Sequence, residues 1–305
     1  MTIKYLVISG GGGSGFYIYG AVKTLSQNKF WNIEDIQSIY ATSIGSFIST
    51  FLSLKYDWNY LDDYIIKRPW DKVFSFNPGN LFNVFNNIGI FDIDIIKLIF
   101  CPLLTAKDLS ESITLKEFYE YNNIDFHLYS VNINTEIPTL IDISHKTHPE
   151  LELIKAIYMS SAYPVLFKPL CDGSCCYVDG GIMNNFPLRE CINQVNFNGD
   201  KQENILACTT TSLTKIDLIT SESNLYNYLY FLIIKMHKLT SNQGNQIDIS
   251  NLLCCKLEYN SHSDWKDAMY NQIIRENMIN SGIQSGEEFL RERNIIPSIS
   301  NPNYS

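Results

Sequence analysis

The chain has 305 residues, 45% hydrophobic and 18% charged, with 23 Lys and Arg against 32 Asp and Glu for a formal net charge of −9. That composition excludes wholesale disorder and suits one large α/β domain with a continuous core. The acidic balance argues against a sequence-independent grip on nucleic acid, which needs clustered cations to displace counterions, so no nucleic-acid partner is expected.

The opening run Ile3-Lys4-Tyr5-Leu6-Val7-Ile8 is apolar and β-branched, and the cluster Gly10 to Gly13 stops it, which predicts a buried strand. Ile18, Ala21, Val22 and Leu25 then follow helical spacing, so a helix begins directly behind the glycines. A second strand, Ser38-Ile39-Tyr40-Ala41, ends at Thr42-Ser43-Ile44-Gly45, and Phe47, Ile48, Phe51, Leu52 and Leu54 mark the next helix. This β-loop-α-β-turn-α order is the signature of a mostly parallel sheet.

Residues 57–125, with the turn signal Asn77-Pro78-Gly79-Asn80 and Asn- and Phe-rich flanks, read as a surface excursion. Strands follow at Phe126 to Asn132 and Pro138 to Asp142, a helix from Glu150 to Ser160, and strands at Cys176 to Val178 and Ile205 to Thr209. The remainder offers an apolar helix around Tyr226 to Leu239, a short run from Leu252 to Leu257, a polar helix around Asp264 to Ile279 and a Pro/Asn/Ser tail. Because its apolar residues surround the helix, Tyr226 to Leu239 reads as core rather than as an interfacial element.

The segment MTIKYLVISGGGG has neither a basic nor a continuous apolar stretch of the secretory kind, so the eight cysteines are expected as reduced thiols and the protein as cytoplasmic. Cys175-Cys176 and Cys254-Cys255 are adjacent pairs, and no C-x-x-C spacing offers zinc ligands, so neither metal nor cofactor is expected. No window reaches the roughly 18 consecutive apolar residues of a membrane span.

Three segments carry chemistry. Ser9-Gly10-Gly11-Gly12-Gly13-Ser14-Gly15 lies between a strand and a helix N-terminus, where side-chain-free residues let N–H groups converge on an anion. Gly10, Gly12 and Gly15 also satisfy the dinucleotide pattern G-x-G-x-x-G, but Glu34 and Asp35 precede the second strand, whereas a ribose-binding acid belongs at its end. Ala41-Thr42-Ser43-Ile44-Gly45 sits where a nucleophile elbow belongs, with small residues two before and two after the serine; read alone, Ser43 fits a helix N-cap equally well. Asp179-Gly180-Gly181 places a carboxylate on a tight loop at a strand end, although an Asp-Gly pair alone is also a turn former.

Together the three segments resemble the patatin-like phospholipase family, whose members carry a D/S-G-G-G-x-R/K-G loop, a G-x-S-x-G elbow and a D-G-G/A motif in this order. The stretch from Leu153 to Pro164 and on to Pro169 resembles the family's helix and proline segment ahead of D-G-G. Two positions depart from the pattern: Ala41 replaces the first elbow glycine, and Ser14 stands where the family carries Arg or Lys. The resemblance implies a three-layer patatin-like α/β fold with a mostly parallel central sheet, the Gly-rich loop after strand 1 and the elbow after strand 2. It implies an acyl hydrolase core over residues 1–210, with 211–305 an extension packed on the same domain.

It further implies a serine acyl-ester hydrolase of the phospholipase A or lysophospholipase type working through a Ser-Asp dyad. Ser43 would be the nucleophile, Asp179 the general base, and Gly11, Gly12 and Gly13 the oxyanion hole, supported by Gly10, Gly15, Gly45, Gly180 and Gly181. The substrate would be a phospholipid or another acyl-ester lipid, with peripheral membrane contact as an option. Two alternatives remain open: a Ser-Asp-His hydrolase using His237 or His262, and a catalytically impaired lipid-binding protein.

Overall fold

A computed structural model describes residues 2–75, 88–212, 249–257 and 262–297, with isolated positions between 219 and 235. In chain order the strands are β1 (Tyr5–Ile8), β2 (Ser38–Thr42), β3 (Gly89–Phe91), β4 (Asp125–Asn132), β5 (Thr139–Ile143), β6 (Val165–Phe167), β7 (Leu170–Asp172), β8 (Cys175–Asp179), β9 (Ile205–Ser212) and β10 (Leu252–Leu257). The α-helices are α1 (Gly15–Gln27), α2 (Ile44–Ser53), α3 (Trp58–Lys67), α4 (Trp70–Val73), α5 (Asp94–Thr105), α6 (Leu115–Asn122), α7 (Leu153–Ser161), α8 (Leu188–Asn198), α9 (His262–Tyr270) and α10 (Gln272–Glu292).

The central sheet runs β10-β9-β1-β2-β4-β8-β7, parallel from β10 to β4 and antiparallel at β8 and β7, with β5 pairing antiparallel to β4. Alternation within the strands assigns two buried faces. Leu6, Ile8, Ile39, Ala41, Leu128 and Leu206 join the larger core under α1, α2, α5 and α7, whereas Tyr5, Val7, Tyr40, Tyr129 and Ile205 pack against Leu188, Cys191 and Val195 of α8. Burial on both faces explains why β1 reads as a continuous apolar run rather than an alternating one. β3 and β6 form a separate two-stranded parallel ribbon.

Several expectations need correction. The described helices within residues 57–125 contribute to the core rather than forming a surface excursion: Leu61 and Ile65 of α3, and Ile96, Ile99, Phe100, Leu103 and Leu104 of α5, are buried. The turn Asn77 to Asn80, most of the apolar segment Tyr226 to Leu239, and the tail beyond 297 lie outside the described residues. The expected helix over Asp264 to Ile279 is two helices broken at Asn271, whose side chain accepts from Ile273 N–H and starts α10. Cys171 and Cys176 oppose one another on the β7–β8 hairpin and are disulfide-bonded, against the expectation of reduced thiols; strand register brings them together. Among the described residues no helix is long and apolar enough to cross a membrane.

α10 is the longest described helix, and it lies along α1 with glycines at the crossing. A Cβ on Gly20 would stand 2.2 Å from the Ile279 carbonyl oxygen, and one on Gly282 would stand 2.0 Å from that of Tyr17. The two backbones meet without intervening side chains along α1, the helix that follows the glycine loop.

Candidate active site

The turn from β2 into α2 holds Ser43 at φ 55° and ψ −124°, a left-handed conformation that a residue with a Cβ adopts only when its surroundings impose it. Those surroundings come from α7. Ser43 N–H donates to both the carbonyl oxygen and the hydroxyl of Ser160, each at 3.1 Å, while Ser46 donates through its N–H and hydroxyl to the Ser43 carbonyl at 2.8 and 2.6 Å. Gly45 completes the elbow because a Cβ there would lie 2.4 Å from the Ile8 carbonyl oxygen and 2.9 Å from that of Ser9. Ala41 is fully buried in the main core, where its methyl finds room between Ile8 and Leu128 in register.

The Ser43 hydroxyl makes no capping bond to α2. It donates instead to Asp179 Oδ2 at 2.6 Å. Residues 136 positions apart meet because of how β4 is shared. Its first half pairs with β2 up to Thr42↔Tyr129, its second half pairs with β8 from Ser130↔Asp179, and β5 occupies the opposite edge. β2 and β8 therefore abut end to end on one side of β4, their C-termini facing. Asp179 N–H donates to the Ala162 carbonyl at 3.0 Å, so the end of α7 fixes both the serine and the carboxylate.

Asp179 is 1% exposed. Burial pushes its carboxyl from 3.8 up to about 6, against the opposing pull of the Ser43 hydroxyl and of Gly181 N–H, which reaches Oδ1 at 2.7 Å. Gly180 lies against the Tyr129 carbonyl, where a Cβ would stand 2.2 Å from the oxygen, and Gly181 lies between the side chains of Asp179 and Asn185.

Gly10 is beside the serine: a Cβ there would approach Ser43 Cβ to 3.1 Å and Asn185 Oδ1 to 2.2 Å. Beyond it the chain turns outward with Gly11 at φ 146° and Gly12 at φ 56°, conformations open to glycine, and a short 3-10 turn over Gly12–Ser14 leads into α1 at Gly15. Among the described residues no carbonyl accepts from the N–H groups of Gly11, Gly12 or Gly13, and Gly11 and Gly12 are exposed. Ser14 is 7% exposed, and its hydroxyl has no hydrogen-bond partner among the described residues.

Asn184 and Asn185 tie the third segment to the other two, a role their sequence did not announce. Thr42 Oγ1 donates to the Asn184 carbonyl at 2.9 Å, Gly10 N–H donates to the Asn185 carbonyl at 2.9 Å, and the Asn185 amide reaches the Gly10 carbonyl at 3.3 Å. Two amides following D-G-G are the available signal.

His127, the most buried of the described histidines, stands apart from this constellation. His127 stacks on Tyr40 and is clamped by Asp142 at 2.8 Å and Asp125 at 3.3 Å. Burial lowers its pKa, but the two carboxylates outweigh that and hold it near 9. His237 and the side chain of His262 lie outside the described residues.

Comparison with known proteins places this geometry in context. The sequence model for patatin-like phospholipases matches residues 6–192. A probable lipid hydrolase of Invertebrate iridescent virus 6 is 26% identical over 230 residues, covering 75% of each chain. An uncharacterized protein of Acanthamoeba polyphaga mimivirus is 25% identical over 186 residues, covering 61% of this chain and 60% of its own. Among solved structures, VipD from Legionella pneumophila superposes with a TM-score of 0.54 at 15% identity, over 96% of this chain and 67% of its own.

Proposed function

The chain belongs to the patatin-like phospholipase family, and from that premise we propose that it hydrolyses acyl esters of lipids through a Ser43–Asp179 dyad and an acyl-enzyme. The observation that carries this reading is the 2.6 Å hydrogen bond from the Ser43 hydroxyl to a buried carboxylate, made on a strained elbow beside open main-chain donors.

Asp179, with a pKa near 6, is largely ionised at neutral pH and takes the hydroxyl proton as Ser43 Oγ attacks the ester carbonyl. The oxyanion that forms is held by the N–H groups of Gly11, Gly12 and Gly13, each such donor being worth on the order of 3 kcal/mol. Asp179 returns the proton to the leaving alcohol, the ester C–O bond breaks, and Ser43 carries the acyl group. Water then attacks the acyl-enzyme, losing its proton to Asp179, which returns it to Ser43 Oγ as the acyl–serine bond breaks and the fatty acid leaves. Glycerophospholipids and lysolipids are the substrates the family suggests, and the iridescent-virus relative named a probable lipid hydrolase supports a lipid substrate.

The dyad is favoured over a triad because the Ser43 hydroxyl donates directly to Asp179 Oδ2 at 2.6 Å, a contact that leaves no place for an imidazole between the two side chains. The decisive experiment is acyl-ester hydrolysis by purified wild type and Ser43→Ala, alongside labelling with a fluorophosphonate ester. Loss of both activity and label in Ser43→Ala is expected; full hydrolysis by that variant would overturn the assignment.

A further inference from the structure

The glycine loop has no basic side chain of its own at position 14, yet its turn must keep three N–H groups aimed at one point. Beside α1 and α2, the element that packs against the turn Gly12–Ser14 is α9, which belongs to the C-terminal segment beyond the family match. α9 is short; it packs on α4 and α10, and one buried side chain of α10 hydrogen-bonds its last turn.

That side chain is Arg275, 4% exposed, in the first turn of α10. Its guanidinium donates to main-chain carbonyls from two helix ends at once. Nη1 reaches Ala268 O at 2.7 Å and Met269 O at 3.5 Å in the last turn of α9; Nε and Nη2 reach Ile66 O at 2.9 and 2.6 Å in the last turn of α3, and Nη2 reaches Arg68 O at 3.4 Å. Helix C-termini leave carbonyls without intrahelical partners and carry partial negative charge, so two of them converging on one buried cation satisfy both sides. A cation in the first turn of its own helix gains nothing from α10, so its position is explained by α3 and α9. A planar fork suits this bridging, and a lysine ammonium does not reproduce it.

Resting on the acyl-hydrolase reading above, we infer that Arg275 is a positioning residue for the reaction: by fixing the end of α9 to the end of α3, it holds α9 against the Gly12–Ser14 turn and keeps the oxyanion donors aligned. The C-terminal segment thus supplies to the loop a restraint from outside the residues that the family model matches.

The test uses the full chain. Arg275→Lys is compared with wild type at a temperature well below the melting point of both, folding being checked by circular dichroism. Met269→Ala, which loosens α9 while leaving Arg275 in place, is the second variant. A positioning role predicts that kcat falls about tenfold in Arg275→Lys and about threefold in Met269→Ala while KM stays within about twofold. The inhibition constant of an acyl trifluoromethyl ketone, whose adduct with Ser43 places an oxyanion against the glycine loop, should rise by the same factor as kcat/KM falls. A purely structural Arg275 would lower the melting temperature and leave both kinetic readouts in place. Folded variants with kcat and inhibition constant within about twofold of wild type would overturn the inference, as would a change confined to KM. A wild type that neither hydrolyses acyl esters nor labels at Ser43 overturns the parent reading instead.

Discussion

Burying a carboxylate penalises its ionised form, and Asp179 bears that penalty with only the Ser43 hydroxyl and Gly181 N–H to offset it. Its folded pKa of about 6 lies above the ordinary 3.8, so its contribution to stability is present below about 4 and is lost as pH rises through 6. At pH 8 the ionised group opposes folding by up to about 3 kcal/mol. Asp179→Asn should therefore melt a few degrees higher than wild type at about pH 8, and the gain should vanish near pH 4. The same variant should lose at least about a thousandfold in kcat, since the amide cannot accept the serine proton. In wild type, kcat/KM should rise about tenfold per pH unit up to roughly 6 and level off above it, as a base that must be ionised requires. Calorimetry and a pH–rate profile check the two halves separately. An Asp179→Asn protein that is less stable than wild type at pH 8 would show that the carboxylate is held chiefly for structure.

At the scale of elements, the contact between α1 and α10 has the least slack. A Cβ on Gly282 would meet Tyr17 backbone atoms at 2.0, 2.8 and 2.9 Å, and backbone cannot rotate away as a side-chain tip can. Gly286→Ala would meet the Ala21 carbonyl oxygen at 3.1 Å and Thr24 side-chain atoms at 3.1 and 3.3 Å, a crowding that small shifts relieve. Gly282→Ala should thus cost about 2 kcal/mol or more by overpacking, whereas Gly286→Ala should fall within about 1 kcal/mol of wild type because the helix propensity of alanine offsets the crowding. Urea unfolding midpoints at unchanged slope measure both, and equal costs would mean that the two helices separate freely. These elements differ in how far the sequence discloses them. The glycine loop, elbow and D-G-G strand announce themselves because each is bounded by glycines at a strand end. α5 is less legible: Ile95, Ile96, Ile99, Phe100, Leu103 and Leu104 keep helical spacing, but Pro102 and the aromatic, Asn-rich surroundings mask it.

Across the whole molecule, the least legible feature is the one that assembles the site. Nothing local to Ser43 or Asp179 says that β8 runs antiparallel and abuts β2 on the same edge of β4, because strand register is a long-range property. Arg275 was equally hidden, its partners being carbonyls of residues some 200 positions earlier as well as close by. Charge, by contrast, is a whole-chain property that the composition states directly. With a net charge of −9, the protein would meet a repulsive field at an anionic bilayer and none at a neutral one. Hydrolysis of one phosphatidylcholine substrate should accordingly be severalfold slower in vesicles doped with an anionic lipid than in neutral vesicles at about 0.01 M salt, where the Debye length is about 30 Å. At about 1 M salt that length falls to about 3 Å, and the two rates should converge. Vesicle co-sedimentation under the same conditions assigns the difference to binding rather than turnover. Faster hydrolysis on the anionic vesicles at low salt would mean that a local basic surface, and not the net charge, governs how the enzyme meets lipid.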